Sequence, residues 1–276
     1  MTVTLSGFAD EISADPAEQL AVLAQESVTH LELRSAWSVN VADFTAAQLA
    51  AFRAVTESAG VRVSAIGSPV GKIPVGAPLE PELDRMRRIA DIAGELGTAL
   101  VRVFSFYIPP GEPPRRYRAQ VIDRMGALAR VAEERGVVLA HENEKEIYGD
   151  VPDRCADLIT SVGSPALRAT FDAANFVQCG VRPFTEAYPL LRPHLVYLQV
   201  KDAHAGTGVV TPAGEGDGEM REMLRALRDS GFTGFMSLEP HLDLAGRQGG
   251  FSGPAKFRQA ARALKRLLDE LSIDWC

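Results

Sequence analysis

Residues 137–142 read Val137-Val138-Leu139-Ala140-His141-Glu142, an apolar run that stops on a carboxylate. A short, almost unbroken apolar run marks a parallel strand covered on both faces. The pattern recurs three times. Ala169-Thr170-Phe171 runs into Asp172, Val196-Tyr197-Leu198 into Gln199, and Phe235-Met236-Ser237-Leu238 into Glu239. The four terminal residues are spaced by 30, 27 and 40 positions. Each interval is about one strand–helix unit of a barrel.

Working outward, runs of the same kind fall at 5–8, 30–33, 61–66 and 99–104, which with 137–141, 169–171, 195–199 and 234–238 makes eight predicted strands. Helical segments lie between them. Asp15-Pro16-Ala17-Glu18 combines an N-cap, a proline at the first helical position and an acid three residues after the cap. Thr45-Ala46-Ala47-Gln48 reads as a capping box, with Phe44 and Leu49 placed to staple it. Phe257, Ala260, Ala261, Leu264, Leu267, Leu268 and Leu271 form one stripe of a last helix. Gly60, Gly97, Gly136 and Gly231 each separate a helical run from the next strand, where a left-handed residue can end the helix. Eight units in 276 residues average about 35 residues, so the expected fold is α/β, a single (β/α)8 TIM barrel over residues 1–276. An open doubly wound sheet would place a Gly-rich phosphate loop after its first strand. Here that strand is followed by Gly7-Phe8-Ala9-Asp10-Glu11, without a G-x-G-x-x-G.

Composition narrows the function. The chain has 29 Lys plus Arg against 36 Asp plus Glu, a net charge of −7. That balance disfavours nucleic acid, whose binding is dominated by phosphate charge. The densest basic cluster, Arg115, Arg116 and Arg118, reads as a solvated helix start. No stretch approaches the ~20 apolar residues needed to span a bilayer, and the start lacks a secretory signal pattern. Three widely spaced cysteines, Cys155, Cys179 and Cys276, match no zinc spacing and fit reduced thiols of a cytoplasmic protein.

Barrel enzymes carry their chemistry at the C-terminal ends of the strands. Glu142, Asp172, Gln199 and Glu239 would there surround one point. A lone acid after a strand is commonly a helix cap or a solvated loop residue. Four on successive strands form an oxygen-rich set, and three carboxylates that close repel unless a cation lies between them. Such donors suit Mg²⁺ or Mn²⁺. The earlier strands end in Glu32 and Arg34, in Gly67, Ser68 and Lys72, and in Arg102, Ser105 and Tyr107, a mix suited to a small polyhydroxylated ligand. His141 precedes Glu142 and so points away from the barrel axis by alternation, whereas His204 and His241 lie just beyond strand ends as candidate substrate contacts.

His141-Glu142-Asn143-Glu144, Thr170-Phe171-Asp172-Ala173-Ala174-Asn175, Gln199-Val200-Lys201-Asp202, Gly214-Glu215-Gly216 and Ser237-Leu238-Glu239-Pro240-His241 together resemble the sugar phosphate isomerase/epimerase family, of the xylose-isomerase-like barrel superfamily. The resemblance covers nearly the whole chain. It implies one divalent metal ion held by Glu142, Asp172, Gln199 and Glu239, with Gln199 standing where family members commonly carry His. Asn175 stands where epimerases often have a substrate-contacting His. The superfamily's apurinic endonucleases use many His ligands that this chain lacks.

The implied activity is isomerisation or epimerisation of a sugar or keto-polyol through a metal-stabilised enediolate, with Glu142 and Glu239 as the acid/base pair. Arg34, Ser68, Lys72, Arg102, Asn175, Lys201, His204 and His241 are the expected substrate-binding residues. The same chemistry could expel a β-hydroxyl, as in an inosose-type dehydratase. A non-catalytic sugar-binding barrel is the third alternative, motivated by Gln199. The resemblance leaves room for a homo-oligomer, although no interface motif is legible.

Overall fold

The computed structural model describes residues 2–246 and 249–276. Eight parallel strands form one curled sheet: β1 (Thr2–Gly7), β2 (His30–Leu33), β3 (Arg62–Ile66), β4 (Leu100–Val103), β5 (Val138–Glu142), β6 (Leu167–Asp172), β7 (Leu195–Val200) and β8 (Phe235–Leu238). All eight runs expected from the sequence are strands. Each pairs with the next in chain order from β2 to β8, and β8 then pairs with β1. The ring closes where Phe8, just past β1, bridges Glu32 of β2. Below that bridge a ninth strand, β9 (Asp274–Trp275), pairs in parallel with Thr2 and Val3. Cys276 extends the contact, its carbonyl accepting from the Leu5 amide at 2.8 Å. This is a TIM barrel.

The outer layer consists of α1 (Pro16–Gln25), α2 (Ala46–Ala59), α3 (Glu80–Glu95), α4 (Arg118–Arg135), α5 (Pro152–Val162), α6 (Ala173–Gln178), α7 (Met220–Asp229) and α8 (Gly253–Glu270). Their ends follow local chemistry. The Asp15 side chain accepts from the Ala17 amide at 3.0 Å. Thr45 and Gln48 complete a reciprocal capping box. Gly60, Gly97, Gly136 and Gly231 take φ of +67°, +72°, +66° and +72°. On α8, Phe257, Ala260, Ala261, Leu264, Leu267 and Leu268 are buried, as their spacing predicts. Each large side chain removed from water there contributes about 1.5–3 kcal/mol.

Inside the barrel floor the packing is polar. Ser6 and Ser64 hydroxyls lie 2.6 Å apart, and Ser64 reaches the Tyr197 hydroxyl at 2.8 Å. Three short hairpins stand on the C-terminal face, at Ser35–Ala36 with Val39–Asn40, Asp202–Ala203 with Val210–Thr211, and Leu244–Gly246 with Gly249–Phe251. None of the three was expected from the sequence.

Candidate active site

Strand register sets the first ring of side chains. Asp172 of β6 lies directly opposite Gln199 of β7, which lies opposite Ser237 of β8. Residues opposite one another on neighbouring strands project to the same face, here the barrel axis. Ligand oxygens of Glu142, Asp172 and Glu239 all come within 4.8 Å of one another. All three residues are buried.

Each carboxylate is held by fixed partners. Asn143 clamps the end of β6, donating from Nδ2 to the Asp172 carbonyl and accepting from the Asp172 amide, both at 2.9 Å. Asp172 Oδ1 caps α6 by accepting from the Asn175 amide at 2.9 Å. Asn175 Nδ2 donates in turn to Glu142 Oε1 at 3.0 Å. The Lys201 ammonium lies 2.9 Å from Asp172 Oδ2 and 2.8 Å from Glu239 Oε2. Arg102 stands 3.3 Å from Glu142 Oε2 and 3.6 Å from Glu239 Oε1. Arg34 is 3.2 Å from that same Glu239 oxygen.

The site extends to the first strand. Glu11, just beyond β1, is fully buried; its Oε2 accepts from the His241 amide at 2.8 Å and from Ser252 at 2.7 Å. His241 Nε2 lies 3.2 Å from Glu11 Oε1 and 3.5 Å from Glu239 Oε1. These contacts hold His241 at φ +47°, a backbone conformation costly for a non-glycine residue. Asp10 pairs with Arg34 at 2.7 Å.

Charge is out of balance here. Seven buried or nearly buried carboxylates (Asp10, Glu11, Glu32, Glu142, Glu144, Asp172 and Glu239) face four cations (Arg34, Lys72, Arg102 and Lys201), a difference of three negative charges if all are ionised. Without a further cation the deficit falls on protons. Burial pushes Glu11 up to about 8 and Glu32 up to about 7. Burial, and then the neighbouring Glu239 charge, hold Glu142 well above the usual carboxylate range. Burial raises Asp172 to about 6 against the pull of Lys201. For Glu239, Lys201, His241 and Arg102 outweigh the burial effect and hold it well below that range. A bound cation would reverse this local logic and return the raised groups to carboxylates.

The expected substrate-binding residues divide. Arg34, Arg102, Asn175, Lys201 and His241 converge on the three carboxylates. Ser68 acts one layer behind, donating to the Arg102 carbonyl at 2.5 Å. Lys72 lies over the Phe104 ring and 3.5 Å from Glu144. His204 is half exposed on its hairpin, 3.9 Å from Asp217. No described hydrogen bond or ion pair joins it to the carboxylate cluster. His141 packs away from the axis against Gly149, and burial lowers it to about 3. Glu11 and Asp10 were missed in the sequence. Their signal was present, because the apolar run at 5–9 also ends on carboxylates, and closure sets the first strand beside the eighth.

A barrel whose strand ends gather three carboxylates, an amide and three cations belongs to the enzyme-like TIM barrels with an acid-lined mouth. A family model, the xylose isomerase-like TIM barrel, matches residues 21–267. The chain belongs to that family. A relative from Actinoplanes sp. (strain ATCC 31044 / CBS 674.73 / SE50/110), 2-epi-5-epi-valiolone 7-phosphate 2-epimerase, is 35% identical over 182 residues. The aligned stretch is 64% of this chain and spans 64% of that relative's length. A D-tagatose 3-epimerase-like protein superposes with a TM-score of 0.77 at 15% identity, over 98% of both chains. A xylose isomerase-like barrel from Mycobacterium smegmatis in complex with magnesium gives 0.72 at 17% identity, covering 98% of this chain and 97% of that one.

Proposed function

We propose that this protein is a divalent-metal-dependent isomerase or epimerase acting on a sugar or keto-polyol, working as a single barrel over the whole chain. The observation that carries the reading is the convergence of Glu142, Asp172 and Glu239 within 4.8 Å in a buried site. The epimerase activity named for the 35%-identical relative supports it.

The residues fit a metal ion. Among the described residues, Gln199 Oε1 is buried without a hydrogen-bond partner. Glu142 Oε2 and Asp172 Oδ2 have cationic neighbours but no hydrogen bond among the described residues. Three carboxylates and an amide carbonyl are hard oxygen donors, the set that favours Mg²⁺ or Mn²⁺ over thiolate-seeking metals. Glu142, Asp172, Gln199 and Glu239 would hold the ion. Once bound, it supplies electrophilic stabilisation of the negative charge that develops on substrate oxygens.

The chain's own residues do the rest. Glu142 and Glu239 flank the reacting carbon; one removes the proton and the other returns it. Return to the opposite face gives an epimer, and return to the neighbouring atom gives an isomer. Asn175 orients Glu142 through its Oε1, while Oε2 faces Arg102 at 3.3 Å. Lys201, Arg34 and Arg102 hold Glu239 and stabilise anionic oxygen nearby. His241 and Lys72 orient substrate hydroxyls. The test is a panel of ketoses and cyclitol ketones with Mn²⁺, followed by chromatography and mass measurement. Glu142→Gln is expected to abolish turnover while the unfolding temperature stays close to wild type. Normal turnover by that variant overturns the assignment, and a product lighter by one water makes the enzyme a dehydratase.

A further inference from the structure

Gln199 and Glu32 lie 167 positions apart in sequence and meet inside the barrel. Gln199 Nε2 donates to Glu32 Oε1 at 3.2 Å, and both side chains are essentially inaccessible to water. An amide has two ends of similar shape and opposite hydrogen-bonding character. Gln199 presents its NH₂ to Glu32, and an ionised Glu32, the form a bound cation favours, can only accept there. The carbonyl oxygen is turned the other way, and among the described residues it has no hydrogen-bond partner. Leaving such an acceptor buried and unsatisfied is costly unless a donor or a cation meets it. The strand register puts Gln199 beside Asp172, in the same ring as the other carboxylates.

Glu32 is itself placed with care. The pairing of β2 with β3 shifts register between Leu31 and Glu32, a local irregularity of the kind that re-aims a side chain. The hydroxyls of Ser237 and Tyr197 face its carboxyl from β8 and β7. Tyr197 is anchored through Ser64 to the barrel floor. A hydroxyl-lined support thus runs up to Glu32, and Glu32 supports Gln199.

We propose that Glu32 is a positioning residue that fixes the Gln199 amide with its carbonyl oxygen presented to a divalent cation, so that a neutral amide serves as the fourth ligand. The inference rests on the metal-dependent reading above. Glu32 acts here as the acceptor of one hydrogen bond, a role that does not require its charge. Outer partners of this kind typically change metal affinity about 10–100-fold when removed.

The test is Mn²⁺ affinity, read by calorimetry and by the electron paramagnetic resonance signal of free Mn²⁺, with thermal unfolding as a check on folding. Gln199→Met and Glu32→Met are each expected to weaken Mn²⁺ binding about 10–100-fold. The double variant is expected to bind no more than about threefold more weakly than Gln199→Met alone, because coupled residues are non-additive. Glu32→Gln keeps an acceptor oxygen at the same place and is expected to stay within about threefold of wild type by the same reasoning. Additive losses in the double variant overturn the proposal. Equal losses in Glu32→Gln and Glu32→Met also overturn it, since they make charge the cause. If Glu32→Met does not fold, Gln199→His takes its place. An imidazole donating one nitrogen to Glu32 presents the other as a ligand, so affinity is expected to hold or rise, and a loss overturns the proposal. A wild-type protein that binds no Mn²⁺ at millimolar concentration removes the metal-dependent reading itself. Wild-type binding that is indifferent to both positions removes only this inference.

Discussion

Lys201→Met removes the ammonium that lies 2.9 Å from Asp172 and 2.8 Å from Glu239 while keeping the length of the side chain. Lys201, Asp172 and Glu239 are only 3%, 0% and 3% exposed, so water cannot replace the lost charge. Breaking one partner out of a buried pair costs about 3–5 kcal/mol. Unfolding entropy of about 2.1 cal/mol/K per residue gives roughly 0.6 kcal/mol/K for a chain of this length. The expected fall in Tm is therefore about 5–9 °C in EDTA at pH 8. The pH dependence has a definite sign. Burial already raises Asp172 to about 6 in the folded protein, and losing Lys201 raises it further. The folded variant then binds this proton more tightly than the unfolded chain. Its deficit relative to wild type is fullest above the variant's folded pKa and shrinks as pH falls toward the wild-type folded value of about 6. Mn²⁺ at about 100 times its Kd returns about 2.7 kcal/mol to any form that binds it. Scanning calorimetry at pH 8 and pH 5, with EDTA and with Mn²⁺, reads all of this. A variant melting within about a degree of wild type at pH 8 in EDTA would refute the assignment of Lys201 as the internal counter-ion.

Other outcomes are equally specific. Gly71→Ala forces a Cβ to 1.9 Å from the Phe104 carbonyl oxygen at φ +88°, so the loop after β3 must move; urea titration is expected to show a loss of more than about 1 kcal/mol, in the range of strained backbone sites. Asp202 accepts from the amides of Ala203, Gly214, Gly216 and Gly218 at 2.8–3.1 Å. Asp202→Asn turns an NH₂ toward some of those donors, and limited proteolysis is expected to open the segment 203–218 first. His141 falls from an ordinary value of 6.5 to about 3 on burial, so the unfolded chain takes up this proton first as the medium is acidified. Stability is expected to decline as pH drops below 6.5 toward 3, and His141→Phe is expected to flatten that slope in denaturant titrations.

The strands were legible because parallel strands covered on both faces are mostly apolar, and Val137–Ala140 can be little else; the serines at 6, 64 and 237 that face the barrel interior interrupt the runs without hiding them. The helix ends were legible because Asp15, Thr45 and Gly60 act through chemistry confined to three or four residues. The carboxylates at 142, 172 and 239 stood out by recurring at the interval of a repeating unit. What stayed hidden depends on closure. Glu11 and His241 meet across 230 positions, and neither spacing nor period marks their contact. The hairpins contain strands of only two or three residues, too short to show alternation. His204 and His241 looked alike in sequence, two loop histidines beyond strand ends. The structure separates them by the backbone, since His241 is tied down by Glu11 and His204 sits on an exposed turn.

The ninth strand carries a consequence for how the molecule is assembled. Val3 and Leu5 complete their outer ladder only with Trp275 and Cys276, more than 270 positions later. The outer edge of β1 is therefore sealed only by residues very distant in sequence, a contact whose loop-closure entropy must be met before it forms. Without that pairing the edge of β1 below the Phe8–Glu32 bridge is an open seam of unpaired backbone groups, a template for a foreign strand.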